Sequence, residues 1–256
     1  MGSLFGTRTA VLGHRGCGKG VVAGHAENTL GSFLTAVELG VDWVEVDVRR
    51  TADDDLVVAH HPTAPDGTFW ADLGTAQAQR HGVLGLAELL EALPPGVGVN
   101  FDLKSSAEDA LRARGATTAG LLAPVAAREA RRRPSLVTSF DAAALGILRE
   151  RAPTVPRGIL TWVHFPIGQA VAAAGHLDVQ VLAAQWKSLR PNHIEDETMH
   201  RPLEYVVDLV HRAGCEFLVW CPPIAFSRRL RLAGADALCV NDVPKFLAAN
   251  LASTRA

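Results

Sequence analysis

Two short stretches of this 256-residue chain place carboxylates where a buried β-strand should carry only apolar side chains. In Trp43-Val44-Glu45-Val46-Asp47-Val48 the valines alternate with acids, and in Val99-Asn100-Phe101-Asp102-Leu103-Lys104 the pattern recurs. Side chains on a strand alternate between faces, so Glu45 and Asp47 share one side, with Cα atoms about 6.5–7 Å apart. Asn100, Asp102 and Lys104 share another. Three acids turned into one space repel each other unless a cation neutralises them. Oxygen ligands from separate strands, completed by water and a substrate phosphate, suit Mg²⁺ or Ca²⁺. The competing reading is that each acid simply pairs with Arg49 or Lys104. Two histidines sit at corresponding places, His14 in Gly13-His14-Arg15-Gly16 and His60 in Val58-Ala59-His60-His61-Pro62. An imidazole titrates near working pH, so a pair flanking a carboxylate-bound metal can act as base and acid in phosphodiester cleavage. Arg15, always charged, could hold a phosphate oxygen.

Such residues need rigid elements to carry them. Short β-branched runs at Thr9–Gly13, Trp43–Val48, Leu56–His60, Val97–Leu103, Leu136–Ser139, Gly158–Trp162, Val179–Ala184, Glu216–Trp220 and Ala237–Val240 alternate with helical periods. Leu30, Phe33, Leu34 and Val37 make one helical face, Leu86, Leu89, Leu90 and Leu93 a second, and Leu203, Val206, Val207 and Val210 a third. Alternating strands and helices predict a parallel sheet, and about 250 residues is the usual size of an eight-fold α/β (TIM) barrel. Nine candidates are one too many. The gap between Val48 and Leu56 is too short for a crossover helix. With Asp53, Asp54 and Asp55 as turn residues, Leu56–His60 is expected to fold back on the second strand as a small antiparallel hairpin, setting Asp47 roughly opposite His60. No linker or composition shift divides the chain, so one domain over 1–256 is expected.

The global composition narrows the partners. A formal net charge of −2 offers no field for nucleic acid or an anionic membrane. Cys17, Cys215, Cys221 and Cys239 are widely spaced, which suits reduced thiols in a cytoplasmic protein. No apolar run is long enough to span a bilayer, so no stable membrane insertion is expected. The basic run Arg131-Arg132-Arg133 before Pro134 is expected to be a solvated helix C-terminus. Gly13-x-x-x-x-Gly18-Lys19-Gly20 matches a phosphate-binding P-loop except at Gly20, where the Mg²⁺-holding hydroxyl is missing. Val21, Val22 and Gly24 also make a poor helix start, which argues against nucleotide binding.

As an ordered set, His14-Arg15-Gly16, Glu27-Asn28-Thr29, Glu45-Val46-Asp47, His60-His61, Asp102-Leu103-Lys104, Ser139-Phe140-Asp141, Trp220 and Asn241-Asp242-Val243-Pro244 resemble the landmarks of the glycerophosphodiester phosphodiesterase family. The resemblance runs from about Gly13 to Pro244. It implies a TIM barrel that hydrolyses a glycerol-linked phosphodiester to glycerol 3-phosphate and an alcohol. It further implies Glu45, Asp47 and Asp102 as metal ligands with Glu27 beside them, and His14 and His60 as acid and base. Arg15 and Lys104 become phosphate contacts, with Lys19 and Trp220 as further substrate contacts. Four departures stand out. Asp102 replaces the usual Glu and reaches one methylene less far, and His61 replaces the Asp that usually follows the catalytic His. That leaves open which imidazole faces the site, although Pro62 and Thr63 favour His60. The Gly18-Lys19 stretch looks like a subclass written G-H-R-G-x-G-K, and Cys221-Pro222-Pro223 replaces the usual T-x-N.

Two other readings stay in view. One keeps the chemistry but cleaves a lysophospholipid in the manner of a phospholipase D, which requires an apolar groove that Trp162, Phe165, Trp186 and Trp220 could line. The other is a barrel that binds a phosphoryl ligand without catalysis, against which stand the two histidines.

Overall fold

The computed structural model describes residues 2–190 and 201–253. Eight parallel strands form its centre: β1 (Ala10–His14), β2 (Trp43–Arg50), β3 (Gly98–Leu103), β4 (Ser135–Ser139), β5 (Arg157–Leu160), β6 (Val181–Gln185), β7 (Glu216–Trp220) and β8 (Ala237–Val240). Each pairs with the next, and β1 pairs with both β2 and β8, so the sheet closes into the expected TIM barrel. The three helical faces read from leucine and valine spacing become helices Leu30–Glu38, Leu86–Ala92 and Leu203–Arg212. Thr29 opens the first, its hydroxyl accepting from Ser32 N.

Strand alternation sorts the core into two. Val44, Val46 and Val48 point outward into the layer between barrel and helices, with Phe33, Leu89 and Phe101. Trp43 points inward with Ala10, Leu12, Leu136, Leu160, Val181, Leu218 and Cys239. The N-terminal segment plugs the lower end, where Phe5 packs on Trp43 with ring centroids 5.3 Å apart. Gly98 makes room for that indole: a Cβ there would lie 2.2 Å from Trp43 Cδ2. The lower lumen is thus filled mainly with apolar groups, with Glu216 at the base of β7 accepting from the backbone N–H of Leu4 and Phe5. The acids of β2 and β3 lie nearer the C-terminal mouth.

Leu56–Val58 pairs antiparallel with the end of β2, as expected, but in a register one residue different. Val48 faces Val58, and Ala59 N donates to Asp47 O at 3.0 Å, so Ala59 and not His60 stands opposite Asp47. The cause is the turn. Thr51 N donates to Asp55 O, and Asp54 takes a left-handed conformation (φ 68°), which centres the loop on Asp53. His60 lies past the end of the strand. A further short strand, Leu84–Gly85, extends the excursion by pairing with Val57 and Val58.

The P-loop-like stretch leads into no helix. It runs into a two-stranded hairpin, Val21–Val22 with His25–Ala26. The basic run is also not simply solvated. Arg133 is buried beside Glu129 (Nε to Oε2, 3.1 Å) and donates to the carbonyls of Leu90, Leu93 and Pro94. It closes off the end of Leu86–Ala92 instead of facing water. No helix among the described residues is long and apolar enough to cross a membrane.

Candidate active site

The barrel ladder brings the three acids together. Asp47 on β2 lies level with Asp102 on β3, Glu45 with Asn100, and His14 at the end of β1 with Glu45. One carboxylate oxygen from each of Glu45, Asp47 and Asp102 lies within 4.8 Å of the others, and all three residues are buried. Asn28, in the left-handed region (φ 59°), donates from Nδ2 to Asp47 Oδ2 at 3.0 Å.

Cations answer part of this charge. Lys104 Nζ contacts Asp102 Oδ2 and stands 3.1 Å from Asp47 Oδ1. Arg15 Nε lies 3.2 Å from Asp47 Oδ2, and its backbone N–H donates to Glu45 Oε2 at 3.0 Å. Among the described residues Arg49 makes no ion pair with the acids, although Asp47 and Asp102 act on it through space; its guanidinium donates to the carbonyl of His60. The pairing is incomplete. Among the described residues, Glu45 Oε1, Asp47 Oδ1 and Asp102 Oδ1 are buried without a hydrogen-bond donor, although Asp47 Oδ1 has the Lys104 charge nearby. A buried carboxylate oxygen left unsatisfied is costly. Burial, followed by Asp47 and Asp102 in turn, drives the Glu45 carboxyl well above its usual range. Burial likewise pushes Asp102 up to about 6, while Asp47, facing Lys104 and Arg15, is held at about 2 despite its burial. Convergent, under-neutralised hard oxygens fit a divalent cation of the Mg²⁺ or Ca²⁺ kind.

Glu27, grouped with the metal ligands by resemblance, is outside this cluster among the described residues. Its carboxylate accepts from Arg15 Nη1 at 2.6 Å and from Gly20 N, so it orients the arginine. Lys19 is exposed, and its backbone N–H donates to Asn241 O at 3.0 Å.

Both predicted imidazoles reach the site. His14 Nε2 is 3.8 Å from Glu45 Oε2, and its Nδ1 is 2.6 Å from Asn241 Oδ1. His60 is half-buried with its Nδ1 lacking a partner, whereas His61 is exposed and meets His60 edge-on at 4.8 Å. Burial first, then Arg15, lowers the His14 pKa to about 4; burial also lowers His60 to about 4, opposed by Asp47. Both rings are therefore neutral and able to accept a proton.

A cavity of about 350 Å³ opens over these groups, with His14, Arg15, Glu45, Asp102, Lys104 and His60 on one side. Phe140, Leu160, Trp162, Leu218 and Trp220 form the other. Phe140 stacks on Trp162 (4.1 Å, 20°) and meets Trp220 edge-on at 6.1 Å. Of the expected groove aromatics, Trp162 and Trp220 line this cavity. Trp186 packs on Phe226 instead, and Phe165 against the outer core. Phe140, Asn28 and Asn241 were each part of a recognised motif, but only the tertiary structure reveals what they touch.

The closed α/β barrel carries the acidic cluster and the two imidazoles at its C-terminal mouth, the face on which such barrels place their active sites. Residues 14–245 match the model of the glycerophosphoryl diester phosphodiesterase family, and the chain belongs to that family. A glycerophosphodiester phosphodiesterase of Caldanaerobacter subterraneus subsp. tengcongensis is 46% identical over 56 residues, 22% of this chain and 21% of that protein. The aligned stretch thus spans about a fifth of that relative. Among solved structures, the Thermotoga maritima glycerophosphodiester phosphodiesterase superposes with a TM-score of 0.70 at 22% identity, covering 96% of this chain and 99% of that one. A phosphodiesterase from Oleispira antarctica, solved with the product sn-glycerol-3-phosphate, gives 0.71 at 23% identity over 95% and 97%. At these identities the two structures establish the fold.

Proposed function

We propose that this chain, working as one barrel domain, is an enzyme that hydrolyses glycerophosphodiesters to glycerol 3-phosphate and an alcohol. The observation that carries the reading is the set of three convergent, buried carboxylates with unsatisfied oxygens, flanked by His14 and His60. Glu45, Asp47 and Asp102 would hold a divalent cation, which when bound supplies positive charge against the phosphoryl oxygens. Arg15, braced by Glu27, and Lys104 add fixed positive charge for the phosphate. One neutral imidazole takes the proton of the attacking group as the new P–O bond forms; that group is water, or the glycerol 2-hydroxyl, in which case water then opens the resulting cyclic phosphate to glycerol 3-phosphate. The other imidazole gives a proton to the departing alcohol oxygen as the old bond breaks. A bound phosphodiester anion favours the charged form of that second ring, raising a pKa that burial has lowered. The four cysteines are free, in keeping with a cytoplasmic setting.

The test is direct. Purified protein with Mg²⁺, Mn²⁺ or Ca²⁺ should release glycerol 3-phosphate from glycerophosphocholine, and EDTA should stop it. Release that ignores EDTA would remove the metal from the reading, and no release from any glycerophosphodiester would remove the activity.

A second reading, cleavage of a lysophospholipid, is favoured by one feature: the aromatic wall of Phe140, Trp162 and Trp220 facing the carboxylates across the same cavity. Such a wall suits an apolar chain better than a hydrophilic alcohol.

A further inference from the structure

His14 is held from behind. Its Nδ1 lies 2.6 Å from Asn241 Oδ1, a contact between residues 227 positions apart in the chain. An amide oxygen only accepts, so His14 Nδ1 must carry the hydrogen. In a neutral ring the lone pair is then on Nε2, the nitrogen nearer Glu45. The other tautomer would leave Nδ1 and Oδ1 lone pair to lone pair. We propose that Asn241 is a positioning residue that selects the Nδ1–H tautomer of His14 and thereby leaves Nε2 free for proton transfer. The inference rests on the acid–base reading above.

The amide oxygen has a second contact, from a thiol that also lies 3.5 Å from His14 Nδ1. Cys221 Sγ lies 3.1 Å from the same Asn241 oxygen, so the thiol can donate to it as well. Cys221 reaches that place from a left-handed backbone (φ 54°), a conformation that a residue with a Cβ adopts only when its surroundings demand it. Its own N–H donates to Cys239 O at 2.8 Å, tying it to β8.

The Gly18-Lys19 stretch clamps the Asn241 backbone. Lys19 N donates to Asn241 O (3.0 Å), and Val243 N donates to Cys17 O (2.8 Å). Gly18 (φ 143°) passes so close that a Cβ would be 1.9 Å from Asn241 O. The loop after β1 and the end of β8 therefore grip one another, and the amide between them is aimed at the histidine that β1 delivers. Lone-pair orientation by such an outer hydrogen bond is how a ring nitrogen is committed to one role.

The experiment combines kinetics with nitrogen NMR of the histidine rings. In the wild-type protein the His14 signals, assigned by their loss in His14→Ala, should show a protonated Nδ1 and an unprotonated Nε2. Asn241→Leu, similar in size but without the acceptor, should mix or reverse the tautomers. It should lower kcat by about 10- to 100-fold with little change in KM, the scale typical of losing an orienting partner. Asn241→Asp, which keeps an acceptor oxygen, should restore the Nδ1–H signature and most of kcat. Thermal melting separates these effects from misfolding. A wild-type signature with hydrogen on Nε2, or unchanged kcat in Asn241→Leu, would overturn the assignment. Full turnover in His14→Ala would sink the acid–base reading beneath it. Loss in His14→Ala with full turnover in Asn241→Leu would sink the positioning role alone.

Discussion

The two sides of the barrel mouth are built differently. On the charged side, His14, Glu45, Asp47 and Asp102 project from β1, β2 and β3 themselves, and the ladder sets each level with a neighbour. On the aromatic side, Trp220 ends β7, but Phe140 and Trp162 lie just beyond β4 and β5, on loops, and Trp162 is 63% exposed. A ladder of backbone hydrogen bonds holds its side chains to a fraction of an ångström, whereas a loop tolerates change in length and sequence. On the proposed function, the contrast puts the bond-breaking step on the rigid side and substrate choice on the adaptable one. Three measurements can break or sharpen that division.

The largest effect should come at the boundary, on the excursion after β2. His60 and His61 both border the cavity, His60 half-buried and His61 exposed. His60→Ala should lower turnover by about 10²- to 10⁴-fold, the usual loss of a positioned acid or base, and His61→Ala by less than about tenfold. The reverse order would move the chemistry to the outer ring and show that the excursion is as adaptable as the loops.

Next comes the charged side without substrate. Burial and mutual repulsion raise the carboxyls of Glu45 and Asp102, the latter to about 6. A raised pKa means that protons hold those oxygens at pH values where a free carboxylate is already ionised, so protons compete with a cation. Metal affinity should therefore climb as pH rises from 5 through about 6, by about tenfold per unit for each proton displaced. Asp47, held at about 2, contributes nothing to that slope. Calorimetry with Mn²⁺ in buffers of differing ionisation heat would read both the slope and the protons released. A flat profile would mean that Lys104 and Arg15 already keep the cluster ionised, and that the rigid side needs no cation to balance it.

How far each side was legible follows from the same contrast. Valines alternating with acids on β2 and β3 break a simple rule for buried strands, so Glu45, Asp47 and Asp102 announce themselves, and so does the barrel that must hold them. The excursion was legible as a hairpin because the seven residues between Val48 and Leu56 cannot hold a crossover helix. Its register was not, because a left-handed Asp54 moves the turn centre by half a residue. Glu27 looked like a ligand by motif, yet its oxygens are taken by Arg15 and Gly20, a fact of three-dimensional approach. Arg133 looked solvated because nothing local says that the carbonyls of Leu90 and Leu93 will end above it. Asn241 meets His14 only because a closed barrel joins its first and last strands, and Cys221 reaches the pair from the end of β7, the strand next to β8. Period and spacing report neighbours along the chain; barrel closure makes neighbours of its ends.

The smallest effect should come from the aromatic side, and it decides between the two substrates. If the wall of Phe140, Trp162 and Trp220 receives an acyl chain, Trp162→Ala removes one stacked face without touching the ladder. An aromatic pair contributes about 0.5–1.5 kcal/mol beyond area burial, so KM for a lysophosphatidylcholine should rise by about 2- to 12-fold. Glycerophosphocholine, which has no chain to lay there, should keep its KM and kcat. Equal losses with both substrates would mean that Trp162 supports the position of Phe140, and through it Lys104, whose Nζ lies 5.5 Å from the Phe140 ring centroid. The aromatic side would then be part of the rigid machinery, and the division between the two sides would fail where it is thinnest, at the contact between a lysine from one and a phenylalanine from the other.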